Sequence, residues 1–418
     1  MAGRAGWGLA DQIMSSLTNF GLGIMVARNV SPEDFGGFSL AFATFLVVLN
    51  VSRAVSTEPL LIRYSARSVE TWRNGTRRAA GASLVTGALA SSVCLIVAAL
   101  THGAVQAAYA TLAVVLPGLL LQDCWRFALV ARGAPRSTFL VDLAWGVALL
   151  PLLLAIDLLL TDVTVVAPII GWGAAAALAA VVGAVLAGTV PRPDLTGAWL
   201  REHRDLIPRF VAEAVTGAGA GQVVILVVGA VAGLAGAGAI RAGQLLLGPM
   251  QVMFMAVTLI AVPEAVRILH GGPDRLARAC ALIAAAMSLL VVAWTILLLM
   301  IPDSLGRSLL GATWDGAREV ILPLGIALAA LAASAGAGIG LRAMADAGAS
   351  LRAKFVDASA NIAAGITGAV VAGATGAAWG LAVGAASGTL AYWWSFRHSR
   401  RRRANPEAAW SSDEPGRR

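Results

Sequence analysis

Charge is scarce in this sequence. Only 13% of its 418 residues are charged, about half of the ~25% usual in soluble domains. That deficit excludes a soluble enzyme, and with 58% hydrophobic residues it excludes a disordered chain. Lysine is nearly absent, Lys354 being the only one, so no phosphate-binding loop of the Walker type can be built. Three cysteines, Cys94, Cys124 and Cys280, sit far apart inside apolar runs. They make neither a disulfide framework nor a metal-ligand spacing. Nothing in the sequence calls for a metal or a cofactor.

What is present is long apolar segments, with a mean hydropathy of +0.78. Runs of the ~20 residues needed to cross a bilayer as a helix recur along the chain. Twelve spans are predicted, near 7–28, 37–62, 79–101, 107–131, 138–160, 164–189, 208–230, 238–266, 275–301, 319–341, 353–374 and 376–397. The first span carries Asp11, Gln12 and Asn19 and more spans follow it, so it does not read as a signal peptide.

The net charge of +8 and pI near 10.5 could suggest nucleic acid as a partner. The placement of the basic residues argues otherwise. With the N-terminus cytoplasmic, 26 of the 31 fall in cytoplasmic segments, three lie outside, and Arg53 and Arg241 fall within spans. This alternation is the positive-inside pattern. It predicts a multi-pass protein of the inner (cytoplasmic) membrane with both termini cytoplasmic and no nucleic acid among its partners.

The halves echo each other at an offset of about 202 to 206 residues. Ala10-Asp11 matches Ala212-Glu213, and Glu58-Pro59 matches Pro263-Glu264. A parallel duplication of six spans, as transporters show, follows. The expected divisions are an N-terminal lobe over 1–192, a C-terminal lobe over 193–398 and a basic, disordered cytoplasmic tail over 399–418. Small-residue spacings such as Gly376/Gly380 and Gly384/Gly388 allow helices to approach closely in lipid.

Polar side chains inside spans mark the candidate site. An arginine at a helix centre costs ~2.5–3.5 kcal/mol on insertion scales, so it must face a cavity or a partner. Helical spacing groups Asp11, Ser15, Thr18 and Asn19 on span one, and Asn50, Arg53 and Thr57 on span two, which closes near Glu58. Glu213, Thr216, Gly217 and Gly221 share a face of span seven. Arg241, Gln244, Gly248 and Gln251 lie on span eight, and Asp357 and Asn361 on span eleven. Either these faces line a wet central cavity whose cations meet an anionic ligand, or they form ion pairs between helices, such as Arg53 with Asp11 or Glu58. Asp123 and Asp142 could pair with neighbouring arginines, and Arg126 reads as an anchor at the membrane surface.

The opening segment carries a more specific signal. Trp7-Gly-Leu-Ala-Asp-Gln-Ile-Met-Ser-Ser-Leu-Thr-Asn-Phe-Gly21 is followed by Val26-Ala-Arg-Asn-Val-Ser-Pro-Glu-Asp-Phe-Gly-Gly-Phe-Ser-Leu40, then by Arg53 and Glu58-Pro59. This resembles the polysaccharide transporter branch (Wzx-type oligosaccharide flippases) of the multidrug/oligosaccharidyl-lipid/polysaccharide exporter superfamily. The resemblance covers about the first 65 residues. It implies an all-α polytopic membrane protein of about twelve helices, in two six-helix lobes around a central cavity. It also implies a flippase that moves a polyprenyl-pyrophosphate-linked oligosaccharide by alternating access in surface polysaccharide biosynthesis. Arg53 would meet the anionic head group and Arg241 would be a second contact. The implied partners are the lipid-linked glycan, membrane lipids and other polysaccharide-assembly proteins.

The main rival is a cation-coupled drug antiporter of the same superfamily, which needs an intramembrane carboxylate. Deep carboxylates are scarce here. A major facilitator is disfavoured because Ile62-Arg-Tyr-Ser-Ala-Arg67 lacks that class's loop signature. Enzymes acting on membrane glycans need sizeable external loops, and here these are short.

Overall fold

The acidic turn Ser31-Pro-Glu-Asp34 starts a helix for reasons visible in its residues. Ser31 Oγ accepts the Asp34 N–H at 3.1 Å, Pro32 presets the first turn, and Glu33 and Asp34 complement the positive helix end. The computed structural model describes residues 2–65, 67–160, 163–216 and 219–404; side chains at 2–6, 8–13, 215, 216, 219, 220, 255, 256, 259 and 404 are outside that description.

The chain runs through α1 (Ala2–Asn29), α2 (Pro32–Ser52), a π-turn (Arg53–Thr57) and α3 (Glu58–Tyr64). It continues with α4 (Val69–Leu100), α5 (Gly103–Ala131), α6 (Pro135–Leu159) and α7 (Val166–Ala187). A linker holds the short helix α8 (Thr196–Glu202). Then come α9 (Ile207–Thr216), α10 (Gly219–Val231), α11 (Leu234–Leu269), α12 (Pro273–Leu299), α13 (Asp303–Leu310), α14 (Thr313–Ala343) and α15 (Ala347–Ala404). Among the described residues there is no strand. The protein is an all-α, multi-pass membrane protein, and among the described residues eight helical segments, one of them running through α2, the π-turn and α3, are long and apolar enough to cross a bilayer.

Each of the twelve expected spans is helical. The seventh is divided between α9 and α10, with residues 217 and 218 outside the description. The eleventh and twelfth are the two arms of α15, broken at Ala372–Gly373, where Gly373 takes φ 59°. Two short helices, α8 and α13, occupy segments expected to be loop. Residues 399–404 continue α15, and the rest of the tail lies outside the described residues.

The chain divides into two compact units. The first holds Met1–Leu245 and Pro302–Ala317. Its core is rich in tryptophan: Trp72, Trp125, Trp172 and Trp199 are all at most 2% exposed. α13 belongs to it, as does the start of α14, where Thr313 Oγ1 donates to the Ala27 carbonyl at 3.2 Å. The second unit holds Leu246–Ile301 and Arg318–Arg418. Its helices are tied by side-chain donors on carbonyls: Ser288 to Ala329, Trp393 to Ala333 and Trp294 to Leu246, each at 3.0 Å. Such bonds average only ~0.6 kcal/mol in membrane proteins, so close packing carries most of the association. The glycine series 376, 380, 384 and 388 does this work in α15. A Cβ there would collide with Gly368, Ala364, Asn361 and Asp357 respectively.

Candidate functional site

The polar face of α2 ends where the helix changes pitch. Asn50 Nδ2 donates to the Leu46 carbonyl at 2.7 Å, which uses one amide N–H within its own helix. One turn on, Arg53 opens the π-turn, an arrangement concentrated at functional sites. Its guanidinium meets Asp123 of α5 side-on, Nε donating to Oδ2 at 2.9 Å and Nη2 to Oδ1 at 2.7 Å. The Phe127 ring lies 4.8 Å beneath the same guanidinium.

α5 supplies a second pair one turn further. Arg126 Nε lies 3.1 Å from Asp142 Oδ2 on α6, and Gln122 Nε2 donates to Asp142 Oδ1 at 3.2 Å. The two carboxylate side chains are only 9% and 1% exposed, so each charge is carried by its arginine. Turn spacing puts Gln122, Asp123 and Arg126 together on α5, and the pairs cross from there to α2 and α6.

Around these pairs is a cavity of about 240 Å³, wholly within the first unit. Ser15 and Asn19 line it from α1, and Asn19 Nδ2 donates to the Ser15 carbonyl at 2.8 Å. Asn50, Arg53, Gln122, Asp123, Arg126 and Asp142 supply the remaining polar lining. The aromatic wall is Phe42, Phe45, Trp145 and Trp172. Phe42 stacks on Trp172 at 5.5 Å, while Phe45 meets Trp172 edge-on at 4.7 Å. The buried indole nitrogens of Trp145 and Trp172 find no acceptor among the described residues. The four formal charges cancel, and the lining that remains offers amides, hydroxyls and ring faces.

The sequence-predicted residues divide. Asn19, Asn50 and Arg53 line this cavity. Arg53 pairs with Asp123 on α5; Asp11 lies in α1 with its side chain outside the described residues. Arg241 of α11 belongs to the same unit, its guanidinium 4.1 Å above the Phe42 ring, and no ion pair joins it to a described acid. Gln244 is half-buried one turn on. Glu58 opens α3, half-buried, with exposed Glu213 of α9 close enough to repel it. Gln251, Asp357 and Asn361 fall in the second unit, where Asn361 Nδ2 donates to Asp357 Oδ1 at 3.0 Å. Arg126, expected at the membrane surface, lines the cavity because its guanidinium turns to Asp142 of α6. The sequence missed Gln122, Trp145 and Trp172. An amide beside Asp123 was the available signal for the first, whereas the tryptophans looked like ordinary apolar residues.

A second polar cluster reaches the site from the linker. Trp199 of α8 donates from Nε1 to the Val55 carbonyl at 2.9 Å, inside the π-turn that begins with Arg53. Glu202 accepts from Arg78 Nη2 at 2.6 Å and from Tyr64 at 3.1 Å, and Asp205 accepts from Arg63 at 2.7 Å. His203 packs 3.9 Å from the Trp199 ring, its Nδ1 2.9 Å from the Trp199 carbonyl. Burial keeps the His203 imidazole below its usual pKa, outweighing its backbone bond and Glu202. For Glu202, burial works upward, but bonding and charge from Arg78 hold the carboxyl below the usual range.

The sequence matches no protein-family profile and no curated protein. Its fold matches solved transporters over nearly its whole length. An inward-facing multidrug resistance MATE-family transporter of the MOP superfamily aligns at a TM-score of 0.70, with 16% identity and 96% of each chain covered. The lipid II flippase MurJ, in an inward closed conformation, aligns at 0.68, with 12% identity, 100% of this chain and 94% of that one. A MOP-superfamily transporter from Pyrococcus furiosus, described as having a binding pocket of reversed polarity, aligns at 0.57 with 16% identity, covering 96% and 94%. The fold is thus shared with a MATE-family transporter and with the lipid II flippase MurJ.

Proposed function

We propose that the protein is a flippase for a polyprenyl-pyrophosphate-linked oligosaccharide in the cytoplasmic membrane, acting by alternating access between lobes 1–192 and 193–398. Both termini are cytoplasmic in this reading, and the substrate feeds surface polysaccharide assembly. The observation that carries it is the lining of the first-unit cavity. Asparagine and glutamine amides and aromatic faces suit sugar hydroxyls and ring faces. Asp123 fixes Arg53 through Nε and Nη2 and leaves Nη1 to donate to a phosphate oxygen. Arg241, without a described acid partner, adds positive charge beside Phe42. The glycan occupies the polar space while the lipid tail stays in the bilayer. Among the solved structures sharing the fold, MurJ is itself named a lipid II flippase.

A cation-coupled antiporter is the second reading. Both carboxylates of the first-unit cavity are locked to arginines, which opposes proton cycling there. Asp357 favours it: the side chain is half-buried within the second unit, and its bond is to Asn361. Native mass spectrometry of the purified chain with a polyprenyl-pyrophosphate disaccharide separates the two. Specific binding that falls at least tenfold in R53Q and survives D357N supports the flippase. Absence of binding, with a drug-induced proton flux abolished by D357N, establishes the antiporter instead.

A further inference from the structure

We infer that a groove between α12 and the second arm of α15 is a binding site for one anionic diacylglycerophospholipid, separate from the substrate cavity and not resting on the flippase reading. The groove encloses about 590 Å³ and is lined by Ala281, Leu390, Trp393, Trp394 and Arg397. Its walls lie within the second unit.

The chemistry follows from helical spacing. Leu390, Trp394, Arg397 and Arg401 are separated by four, three and four residues, so they share one face of α15. That face passes from apolar to aromatic to cationic within three turns. On α12, Arg278 lies three residues before Ala281 and brings a second cation to the same end. The neighbouring acid, Asp274, already pairs with Arg400 at 3.3 Å, which also ties the two helix ends together. The cationic end therefore keeps positive charge for a phosphodiester.

The two tryptophans are unequal. Trp393 is fixed, donating to the Ala333 carbonyl at 3.0 Å and meeting Phe396 edge-on at 5.7 Å. Trp394 is 68% exposed and lies parallel to His398 at 5.6 Å. An exposed indole at the boundary between apolar and cationic residues is the usual interfacial anchor. Beyond it, exposed Leu390 and Ala281 continue the apolar wall. A free phosphate would leave that wall unused, whereas a diacyl lipid covers it with its chains and places its phosphate at Arg397 and Arg278. Basic pockets between membrane helices hold anionic head groups in this way.

The test is tryptophan quenching of the full chain in vesicles containing brominated phosphatidylglycerol or brominated phosphatidylcholine. Quenching present in wild type and lost in W394F reports this groove. The expected result is preferential quenching by the phosphatidylglycerol. Removing the cations in R278Q/R397Q should reduce the preference about fivefold per arginine, as ~1 kcal/mol per basic residue implies. R397K should retain most of it, and circular dichroism checks that each variant is folded. Equal quenching by both lipids, or a preference untouched in R278Q/R397Q, overturns the proposal. So does displacement by millimolar inorganic phosphate, which would make the site one for a free anion. Displacement by polyprenyl phosphate would assign the groove to the substrate and also contradicts it.

Discussion

Trp199 donates its indole N–H to the carbonyl of Val55 at 2.9 Å, joining the linker helix α8 to the π-turn that begins at Arg53. Pro59, four residues after Val55, has no N–H to give that carbonyl, and the Trp199 indole supplies a donor from outside the helix. The segment between α7 and α9 is therefore a structural part of the site. W199F deletes the indole N–H that the half-buried Val55 carbonyl accepts and also shrinks a fully buried ring. It should cost ~1–3 kcal/mol and weaken ligand binding at Arg53. Thermal unfolding of the purified variant, with the same binding assay, checks this; a wild-type melting point would contradict it.

The Arg53–Asp123 pair should be strongly coupled. Removing either partner leaves a charge in a site where Asp123 is 9% exposed, at a cost of ~3–5 kcal/mol. R53Q and D123N should each lower stability, while R53Q/D123N should recover much of the loss. A double-mutant cycle in thermal stability measures the coupling. Simple additivity would mean that the pair does not hold α2 to α5.

The linker should loosen in mild acid. His203 has a folded pKa below its unfolded value of ~6.5, because burial disfavours the imidazolium beside Arg63 and Arg78. Its contribution is complete above the unfolded pKa and is lost as pH falls through the folded one. Glu202 and Asp205 are also shifted down, and their contributions disappear only in the more acidic carboxylate range. The wild-type melting point should drop between pH 7.5 and 5.5, and H203Q should flatten that drop. An equal drop in both would assign the effect to other groups.

Glycines of the same helical type should differ in their tolerance of a methyl group. Gly380 of α15 approaches the Ala364 backbone, whereas a Cβ at Gly248 of α11 meets nothing within 4 Å. G380A should sharply lower the yield of folded protein. G248A should be neutral or stabilising by up to ~1 kcal/mol, the helix propensity difference. Size-exclusion profiles in detergent read both, and equal behaviour would refute the close packing of the two arms of α15.

Hydropathy made the helices legible because each span must bury its own backbone bonds in lipid. The polar face of α2 was legible too, since Asn50 and Arg53 recur at helical spacing. What opposes that face was not. Periodicity says which way Arg53 points along its own helix, but Asp123 is 70 residues away on a helix whose packing partner is set by the whole bundle. The tryptophan wall was hidden for a related reason: Trp172 reads as apolar until the fold brings Phe42 and Phe45 against it. The docking of Trp199 on Val55 spans 144 residues of chain, so no local signature announces it.

The central claim is that the cavity holding Arg53 carries the head group of a lipid-linked oligosaccharide. Its most direct measurement is transfer of a fluorescent polyprenyl-pyrophosphate oligosaccharide across proteoliposomes containing the purified chain. R53Q/D123N serves as the variant that keeps the fold and removes the charge. The account predicts transfer by wild type and a loss of at least tenfold in that variant. Wild-type transfer by folded R53Q/D123N would contradict it.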